Sequence, residues 1–195
     1  MREEDVDAVV ALQPLAFPVP FPPEYHWDAA SIRSHLRHFP EGQFVAVAED
    51  EIVGSCGNTI VSEARWQAHG SWSETVGRYD LRDFTGRGTT LYGIDIAVHP
   101  RVRRQGVGRA FYETRFEFAR ARGLARYGTG CRMPDFRASG VATVEEYAAE
   151  VVAGSRTDRT LTPLLRYGLT FVTVVRGYMK DEESNDAGAL LERPL

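Results

Sequence analysis

One stretch of the sequence, Leu91 to Gly123, restricts the fold more than any other. It begins with side chains that alternate between two faces, which predicts a β-strand: Tyr92, Ile94, Ile96 and Val98 on one face, and Leu91, Gly93, Asp95 and Ala97 on the other. Pro100 ends this strand because proline has no N–H for a sheet ladder. After Gly108 apolar residues recur with a helical period, although Arg115 and Arg122 lie inside the apolar arc. The stretch therefore predicts a strand, a turn and a helix.

The turn between this strand and helix is suited to hold an anion. The first N–H groups of a helix have no partner inside the helix, and the aligned peptide dipoles add partial positive charge there. Four arginines flank the turn: Arg101, Arg103, Arg104 and Arg109. We interpret the turn as a phosphate-binding loop. The alternative is an ordinary strand–turn–helix corner with surface arginines.

Two common phosphate-binding loops are excluded by their missing residues. A Walker loop requires Gly-Lys-Ser/Thr, and the only lysine of this chain is Lys180. A dinucleotide fingerprint requires a third glycine, but Phe111 follows, and no acidic residue lies about 20 positions further on. What remains is the pattern Arg103-x-x-Gly106-x-Gly108 directly after an apolar strand.

This pattern resembles motif A of the GNAT acetyltransferases, whose turn holds the pyrophosphate of acetyl-coenzyme A. The resemblance implies an α/β (α+β) GNAT fold, with a central mixed, mostly antiparallel twisted sheet, helices on both faces and a splayed central strand pair. Several segments are also similar to acetyltransferase domains that are joined to carbon–nitrogen hydrolases: Ala11-Leu12-Gln13, Phe39 to Gln43, Leu91 to Ile96, Thr143 to Ala153, and Tyr178. No hydrolase is attached here, so this likeness implies no amidase activity.

The other segments fit the same order of elements. Pro14 to Tyr25 carries 5 prolines, which predicts a stiff loop rather than a helix; its aromatic residues either pack on the core or cover a substrate groove. Glu63 to Thr90 is a long polar connection, which is typical of a functional or disordered segment. The predicted helices are one from about Val6, one capped by Asp28, one from Thr143 to about Ala153 and one from Leu161 to Tyr167. The predicted strands are Gln43 to Ala48, Ile52 to Ser62, Arg126 to Cys131 (parallel to the central strand), Leu169 to Arg176 and Ala187 to Leu191.

Length and composition set the limits on organisation and partners. A chain of 195 residues predicts a single domain over residues 1–195. A net charge of −4 indicates neither nucleic acid nor membrane as a partner. Cys56 and Cys131 are interpreted as buried small hydrophobes rather than a redox pair or metal site, so no metal is expected. Without a signal peptide or long apolar run, the expected location is the cytoplasm.

One departure from the family concerns the beginning of the chain. GNAT chains usually begin with a strand before the first helix, whereas Met1 lies almost at the predicted helix start. Either the chain has been cut short or the first strand is vestigial.

The resemblance also implies a coenzyme A site. Ile96 to Val98 would hold the pantetheine arm, and the N–H of Val98 would face the thioester. The N–H groups of Arg104 to Arg109 would wrap the pyrophosphate. The implied cofactor-binding residues are Ile96, Ala97, Val98, Arg103, Arg104, Gln105, Gly106, Val107, Gly108 and Arg109.

The catalytic side chains are less clearly indicated. An amine attacks a thioester only when neutral, so a base that takes its proton accelerates transfer by about 10²–10⁴-fold. Several family members place a glutamate base where Tyr92 stands here. Asp95 is the only carboxylate of the strand, on the opposite face from Tyr92 if the pleat is regular, and a structural role for it is equally open. His99 is the titratable alternative at the strand end.

The sequence also leaves open which residue is the general acid. Many GNAT enzymes carry a tyrosine four residues before the glycine that ends the last helix; counting back from Gly168 leads here to Leu164. Tyr167 and Tyr178 are the available substitutes.

These observations imply an acetyl-coenzyme A-dependent N-acetyltransferase that acts directly on an amine of a small molecule or protein, without a covalent intermediate. The binding-class alternative is a catalytically impaired coenzyme A-binding module that serves as a sensor or interaction domain. A third reading is a site for another phosphorylated ligand. The sequence identifies neither the acceptor nor whether the chain forms a homodimer.

Overall fold

The computed structural model describes residues 1–77 and 79–195, so Arg78, within the predicted Glu63 to Thr90 connection, lies outside the described residues. The α-helices are α1 (Val6–Ala16), α2 (Ala29–His38), α3 (Glu63–Gln67), α4 (Trp72–Val76), α5 (Val107–Ala121), α6 (Phe136–Ser139), α7 (Val144–Val152) and α8 (Leu161–Arg166). The strands are β1 (Phe44–Ala48), β2 (Glu51–Val61), β3 (Thr90–Val98), β4 (Arg126–Arg132), β5 (Thr170–Val175) and β6 (Gly188–Pro194). Short 3-10 helices cover Glu3–Asp5, Pro23–Tyr25, Pro40–Gly42, Pro100–Val102 and Glu182–Ser184.

The six strands form one sheet in the order β1-β2-β3-β4-β6-β5. Among the described strands only β3 and β4 run parallel, because α5 carries the chain from one to the other, and every other neighbouring pair is antiparallel. The predicted mixed, mostly antiparallel sheet is confirmed. Among the described residues, no helix has the length and apolar character needed to cross a membrane.

Helices cover both faces of the sheet, as predicted. The Gly54–Val98 pair faces α5, because a Cβ on Gly54 would lie 2.8 Å from the Phe111 ring. The next pair, Ser55 with Ala97, faces the opposite side, where Ala97 packs against α1. Strand β3 is thus buried on both faces.

A β-bulge interrupts β3 and changes which residues share a face. Gly57 of β2 pairs with Asp95 and Asn58 pairs with Gly93, so Ile94 is an extra residue between two rungs. Because of this insertion Asp95 projects from the same face as Tyr92. The expectation of a regular pleat, with Asp95 and Tyr92 on opposite faces, is therefore wrong.

Two loop predictions are also corrected. Pro14 lies within α1, whose last turn extends to Ala16, because the burial of Val6, Val9 and Leu12 holds the helix although Pro14 has no N–H to donate. The long polar connection contains α3 and α4, which Ser62 and Ser71 cap by accepting main-chain N–H groups.

The predicted cap of α2 is confirmed, and Asp28 accepts the Ser31 N–H at 2.8 Å. Before α1 the described residues form only the 3-10 turn Glu3–Asp5, and the Met1 amino group donates to the Gln43 carbonyl at 3.0 Å. Both cysteines are buried, as expected.

The packing of Tyr178 over glycines in the sheet gives a first testable prediction. A Cβ on Gly130 would lie 2.2 Å from the Tyr178 hydroxyl, which is held by the Tyr92 hydroxyl at 2.8 Å. Gly130→Ala should therefore lower the free energy of unfolding in urea by about 1–3 kcal/mol. In the control Gly108→Ala, the new Cβ meets only the Tyr167 hydroxyl at 3.8 Å and stability should be retained. Equal stability of the two variants would contradict this packing.

Candidate active site

The central strands separate partway along their length, as predicted for a splayed pair. β3 and β4 are paired only from Thr90–Arg126 to Gly93–Thr129. Beyond this point β4 stays with β6, and β3 stays with β2 as far as Val98. A wedge-shaped gap, which we call the cleft, therefore opens between Ile94–Val98 of β3 and the last residues of β4.

The backbone of β3 presents hydrogen-bonding groups to this cleft. The N–H of His99 donates to Val53 on β2 at 2.8 Å, so His99 points its main chain toward β2. Because alternate residues of an antiparallel strand point to alternate sides, the N–H and C=O groups of Ile96 and Val98 point away from β2 and into the cleft. Ala97 instead turns its main chain toward β2.

The closed end of the cleft is sealed by side chains. The Trp72 indole N–H donates to the Ile94 carbonyl at 3.2 Å, and the Trp72 main-chain N–H donates to the Tyr178 carbonyl at 2.9 Å. The Thr129 hydroxyl donates to the Gly93 carbonyl at 3.0 Å across the last paired rung. No periodic pattern in the sequence links Trp72 to this strand, so the sequence does not predict its place in the site.

The open end of the cleft leads into the arginine- and glycine-rich turn. Arg104 (φ 63°) and Gly106 (φ 92°) adopt left-handed backbone conformations, and Gly106 precedes the first residue of α5. Main-chain N–H groups in this turn have no acceptor in the described part of the chain: those of Arg104, Gly106, Val107, Gly108 and Arg109. The turn is exposed or half-buried, so these amides are accessible.

The arginines around the turn differ in what they contact. The Arg103 guanidinium donates to the Ala16 carbonyl at 2.7 Å and to the Val98 carbonyl at 3.3 Å, so it connects β3 to the end of α1. Arg101 pairs with Glu51, and Arg109 pairs with Glu113 at 2.8 Å. The exposed side chain of Arg104 has no ion-pair partner within the described ranges.

The side chain of Gln105 and the surroundings of Arg109 complete the turn. Gln105 donates to the Arg101 carbonyl at 3.1 Å and so braces the loop. Next to Arg109, a cavity of about 270 Å³ extends between α5, Arg166, Tyr167 and Arg193. The turn thus combines free amides, the positive end of a 15-residue helix and basic side chains, which is the donor set that a diphosphate requires.

Strand β3 carries one carboxylate, that of Asp95. Its Oδ1 accepts the Gly57 N–H at 2.8 Å, and Trp27 and His35 lie beside it. Burial raises the pKa of Asp95, and the positive charge of Arg115 opposes this rise. The residue nonetheless stays partly accessible to solvent. Asp95 is therefore a residue of intermediate exposure whose desolvated carboxylate has a raised pKa.

The other two candidate catalytic residues are placed differently. Tyr92 is fully buried, its hydroxyl bonds to that of Tyr178, and burial raises its pKa. His99 accepts the Arg101 N–H at 3.1 Å and so helps to shape the turn. Tyr92 and Asp95 lie on one face of β3, whereas His99 lies beyond the open end of the cleft.

The candidate acids are also separated from one another. Leu164 is buried within α8, and the Tyr178 hydroxyl is committed to Tyr92. The Tyr167 hydroxyl lies 3.8 Å from where a Cβ of Gly108 would be, beside the turn rather than the closed end.

Neither cysteine is placed as a nucleophile. Burial raises the pKa of Cys56 to about 11, and it raises the pKa of Cys131 as well. Within residues 1–77 and 79–195, no group of three or more His, Cys, Asp and Glu side chains is arranged to hold a metal ion.

Comparison with known proteins agrees with this geometry. The sequence profile described as "Acetyltransferase (GNAT) family" matches residues 6–144. The chain is 31% identical over 191 residues to the "Uncharacterized N-acetyltransferase YkwB" of Bacillus subtilis, covering 97% of this chain and 84% of that protein. It is also 31% identical over 186 residues to the "Probable hydrolase YhcX" of Bacillus subtilis, covering 95% of this chain but only 36% of that protein.

A solved structure shares the fold over the full length. The "GphF GNAT-like decarboxylase in complex with isobutyryl-CoA" superposes with a TM-score of 0.81 at 24% identity, covering 100% of this chain and 96% of that one. The partial match to the longer YhcX is consistent with the predicted likeness to acetyltransferase domains that are joined to hydrolases.

The exposed amides of the turn lead to a second prediction. Gly106→Asp should weaken coenzyme A binding by roughly 100-fold or more in calorimetry, because a carboxylate would repel the diphosphate at close range. Gly154→Asp is the matched control, since Gly154 also has a positive φ (79°) and open surroundings, but lies after α7. The two variants should lose similar stability and differ only in binding. Equal affinities would argue against the turn as the diphosphate site.

Proposed function

Because the chain belongs to the GNAT acetyltransferase family, we propose that it transfers an acetyl group from acetyl-coenzyme A directly to an amine of a small molecule or peptide. The family and its relatives support an acyltransferase; acetyl as the acyl group and an amine as the acceptor are our proposals. The absence of an accessible, activated cysteine supports direct transfer without an acyl-enzyme. We place this reaction in the cytoplasm, in keeping with two unpaired cysteines.

The observation that carries the proposal is the continuity of the cleft with the turn. The open edge of β3 leads from the closed end at Ile94 to the turn, where the free amides of Gly106 to Arg109 begin. A long thioester with a diphosphate at one end and an acyl group at the other matches both ends of this path. The amides and the helix dipole would bind the diphosphate, and Ile96 and Val98 would hydrogen-bond the arm.

Oxyanion stabilisation is assigned to the same edge. When the acceptor attacks, negative charge develops on the thioester oxygen, and an N–H of Ile96 or Val98 points into the cleft to receive it. Donors of this kind typically lower the activation free energy by about 3–4 kcal/mol. Since these amides are held by the sheet, they need no rearrangement during the reaction.

Asp95 is proposed as the base that removes the acceptor proton. Its raised pKa brings it closer to the pH at which a base is most effective. Because the carboxylate itself is desolvated, we propose that the acceptor proton reaches Asp95 through a water molecule. No dedicated acid is required, because a thiol with a pKa of about 8.5 leaves readily as the thiolate.

The third prediction concerns Asp95. Asp95→Asn should lower kcat for amine acetylation by about 10²–10⁴-fold while coenzyme A affinity stays within a few-fold. The native pKa of Asp95 lies above its unfolded value, so its ionisation opposes folding once the pH exceeds the unfolded pKa of about 3.9. Thermal unfolding at pH 7.5 should therefore show a melting temperature for Asp95→Asn that is equal to or higher than that of the wild type. Unchanged kcat would remove Asp95 from the reaction.

Trp72 supports a short acyl group. Its buried indole donates to the Ile94 carbonyl at the closed end of the cleft, and we propose that this ring limits the room beyond the thioester. The fourth prediction concerns the ratio of kcat/KM for acetyl-coenzyme A to kcat/KM for butyryl-coenzyme A. This ratio should exceed one in the wild type and should be smaller in Trp72→Phe. The control Trp66→Phe alters a buried tryptophan beside Tyr92 and should leave the ratio unchanged. If Trp72→Phe leaves the ratio unaltered, Trp72 does not limit the acyl group.

The binding-module alternative remains a distinct hypothesis, favoured by Leu164 at the position of the family tyrosine. The decisive experiment measures thiol release from acetyl-coenzyme A with and without a panel of primary amines, alongside calorimetry. Amine-dependent release supports the acetyltransferase. Tight binding without transfer to any amine supports the binding module instead. ATP and NADPH in the same calorimetry would identify a site for another phosphorylated ligand.

A further inference from the structure

An arginine is buried beneath the bulge of β3. Arg115 lies in the middle of α5 and is only 1% exposed, although its neighbours on the helix face, Phe111 and Phe116, are apolar. Burying a guanidinium without a carboxylate in direct contact is costly, and an apolar residue of similar volume at such a site is often neutral or stabilising. The presence of a charge here therefore points to a task other than stability.

The hydrogen bonds of Arg115 lie at the rung where the register between β2 and β3 shifts. Its Nη2 donates to the Gly57 carbonyl of β2 at 3.0 Å and also to the Asp95 carbonyl of β3. At the same rung, the Gly57 N–H donates to the Asp95 carboxylate at 2.8 Å. The Arg115 side chain thus joins the two strands where Ile94 has been inserted.

The charge of Arg115 also acts on the Asp95 carboxylate. Asp95 has groups facing it from three elements besides its own strand: Arg115 of α5, Gly57 of β2 and His35 of α2, with Trp27 from the preceding loop. Burial lowers the pKa of His35, so His35 is mostly neutral at pH 7 and above. Arg115 is then the principal cation near Asp95. The other ionisable groups around Arg115 are Cys56, Tyr112 and Tyr127, and burial raises the pKa of each, so that they too are neutral.

We propose that Arg115 is a positioning residue of the active site: it holds the β3 bulge that places Asp95 on the same face as Tyr92, and its positive charge favours the ionised form of that carboxylate. The inference rests on the proposed function, in which Asp95 is the base. Arg115 itself touches no substrate, because its guanidinium lies on the α5 face of the sheet under Gly93, where a Cβ would meet it at 3.3 Å.

The test uses Arg115→Met, Arg115→Lys and the control Arg122→Met. Arg122 is the other arginine of the predicted apolar arc and directly follows α5, but its side chain is 37% exposed and pairs with Glu41 on the surface. Folding is checked by circular dichroism, and coenzyme A affinity by calorimetry. The ionisation of Asp95 is followed by carboxyl carbon NMR, and the acid limb of kcat/KM is measured for amine acetylation.

The variants should separate by charge and geometry. Arg115→Met should raise the measured pKa of Asp95 by about 1 unit or more, move the acid limb of kcat/KM to higher pH equally, and reduce kcat by roughly 10-fold or more. Arg115→Lys keeps the positive charge, so the pKa of Asp95 should stay at its wild-type value. Part of kcat should still be lost, because lysine lacks the guanidinium that bonds the Gly57 and Asp95 carbonyls. Arg122→Met should leave the pKa of Asp95 and kcat at their wild-type values.

The outcomes distinguish this role from a structural one and from failure of the proposed function. If Arg115→Met folds and its Asp95 titration and pH profile match the wild type, the proposal is overturned. If Arg115→Lys is the only folded variant, a wild-type kcat in that variant overturns the proposal, whereas a wild-type Asp95 titration with a reduced kcat supports it. If the wild type transfers acetyl to no amine, the proposed function fails. The NMR titration then decides alone whether Arg115 controls the Asp95 charge, and an unshifted titration overturns that too.

Discussion

The separation of β3 from β4 is the constraint on which the rest of the structure depends. Two parallel strands normally satisfy each other along their length, and a main-chain group left unpaired in a buried position costs about 1–3 kcal/mol. Here the pairing stops at Gly93–Thr129, and substitute partners take over at both ends of the opening. Trp72 satisfies the Ile94 carbonyl at the closed end, and Arg103 satisfies that of Val98 at the open end. The main-chain N–H and C=O groups of Ile96, between these two ends, stay available for a ligand.

The turn extends this logic beyond the end of the strand. Its left-handed residues, Arg104 and Gly106, direct successive N–H groups to one side instead of into the helix. Arg104 accepts this conformation without being glycine, which is unfavourable by roughly 1–2 kcal/mol. Strain of this kind persists where the surrounding structure enforces it, and here Arg103 and Gln105 fix the loop on either side. The anion site and the cleft are thus parts of one strand–turn–helix unit.

The sequence predicted this unit because its signals are local. Alternation in Leu91 to Val98, Pro100 and the glycines of the turn each act over a few residues, and the family resemblance supplied the sheet around them. The bulge at Ile94 has no such local signal. The sequence still alternates through Ile94, but the extra residue in the strand moves the residues before it to the opposite face relative to those after it. For the same reason Arg115 could be noted as an exception in an apolar arc but not explained. Its partners are carbonyl groups, which every residue carries.

The most direct measurement of the central claim is residue-resolved amide hydrogen exchange with and without coenzyme A. In the free protein, the amides of Ile96 and Val98 should exchange fast although they lie in the middle of the sheet, whereas Ala97, bonded toward β2, should be protected. Adding coenzyme A should slow exchange at Ile96, Val98 and Gly106 to Arg109, and leave β1 and β5 unchanged. Slow exchange at Ile96 and Val98 in the free protein, with no response to coenzyme A, would contradict an open strand edge that binds the cofactor.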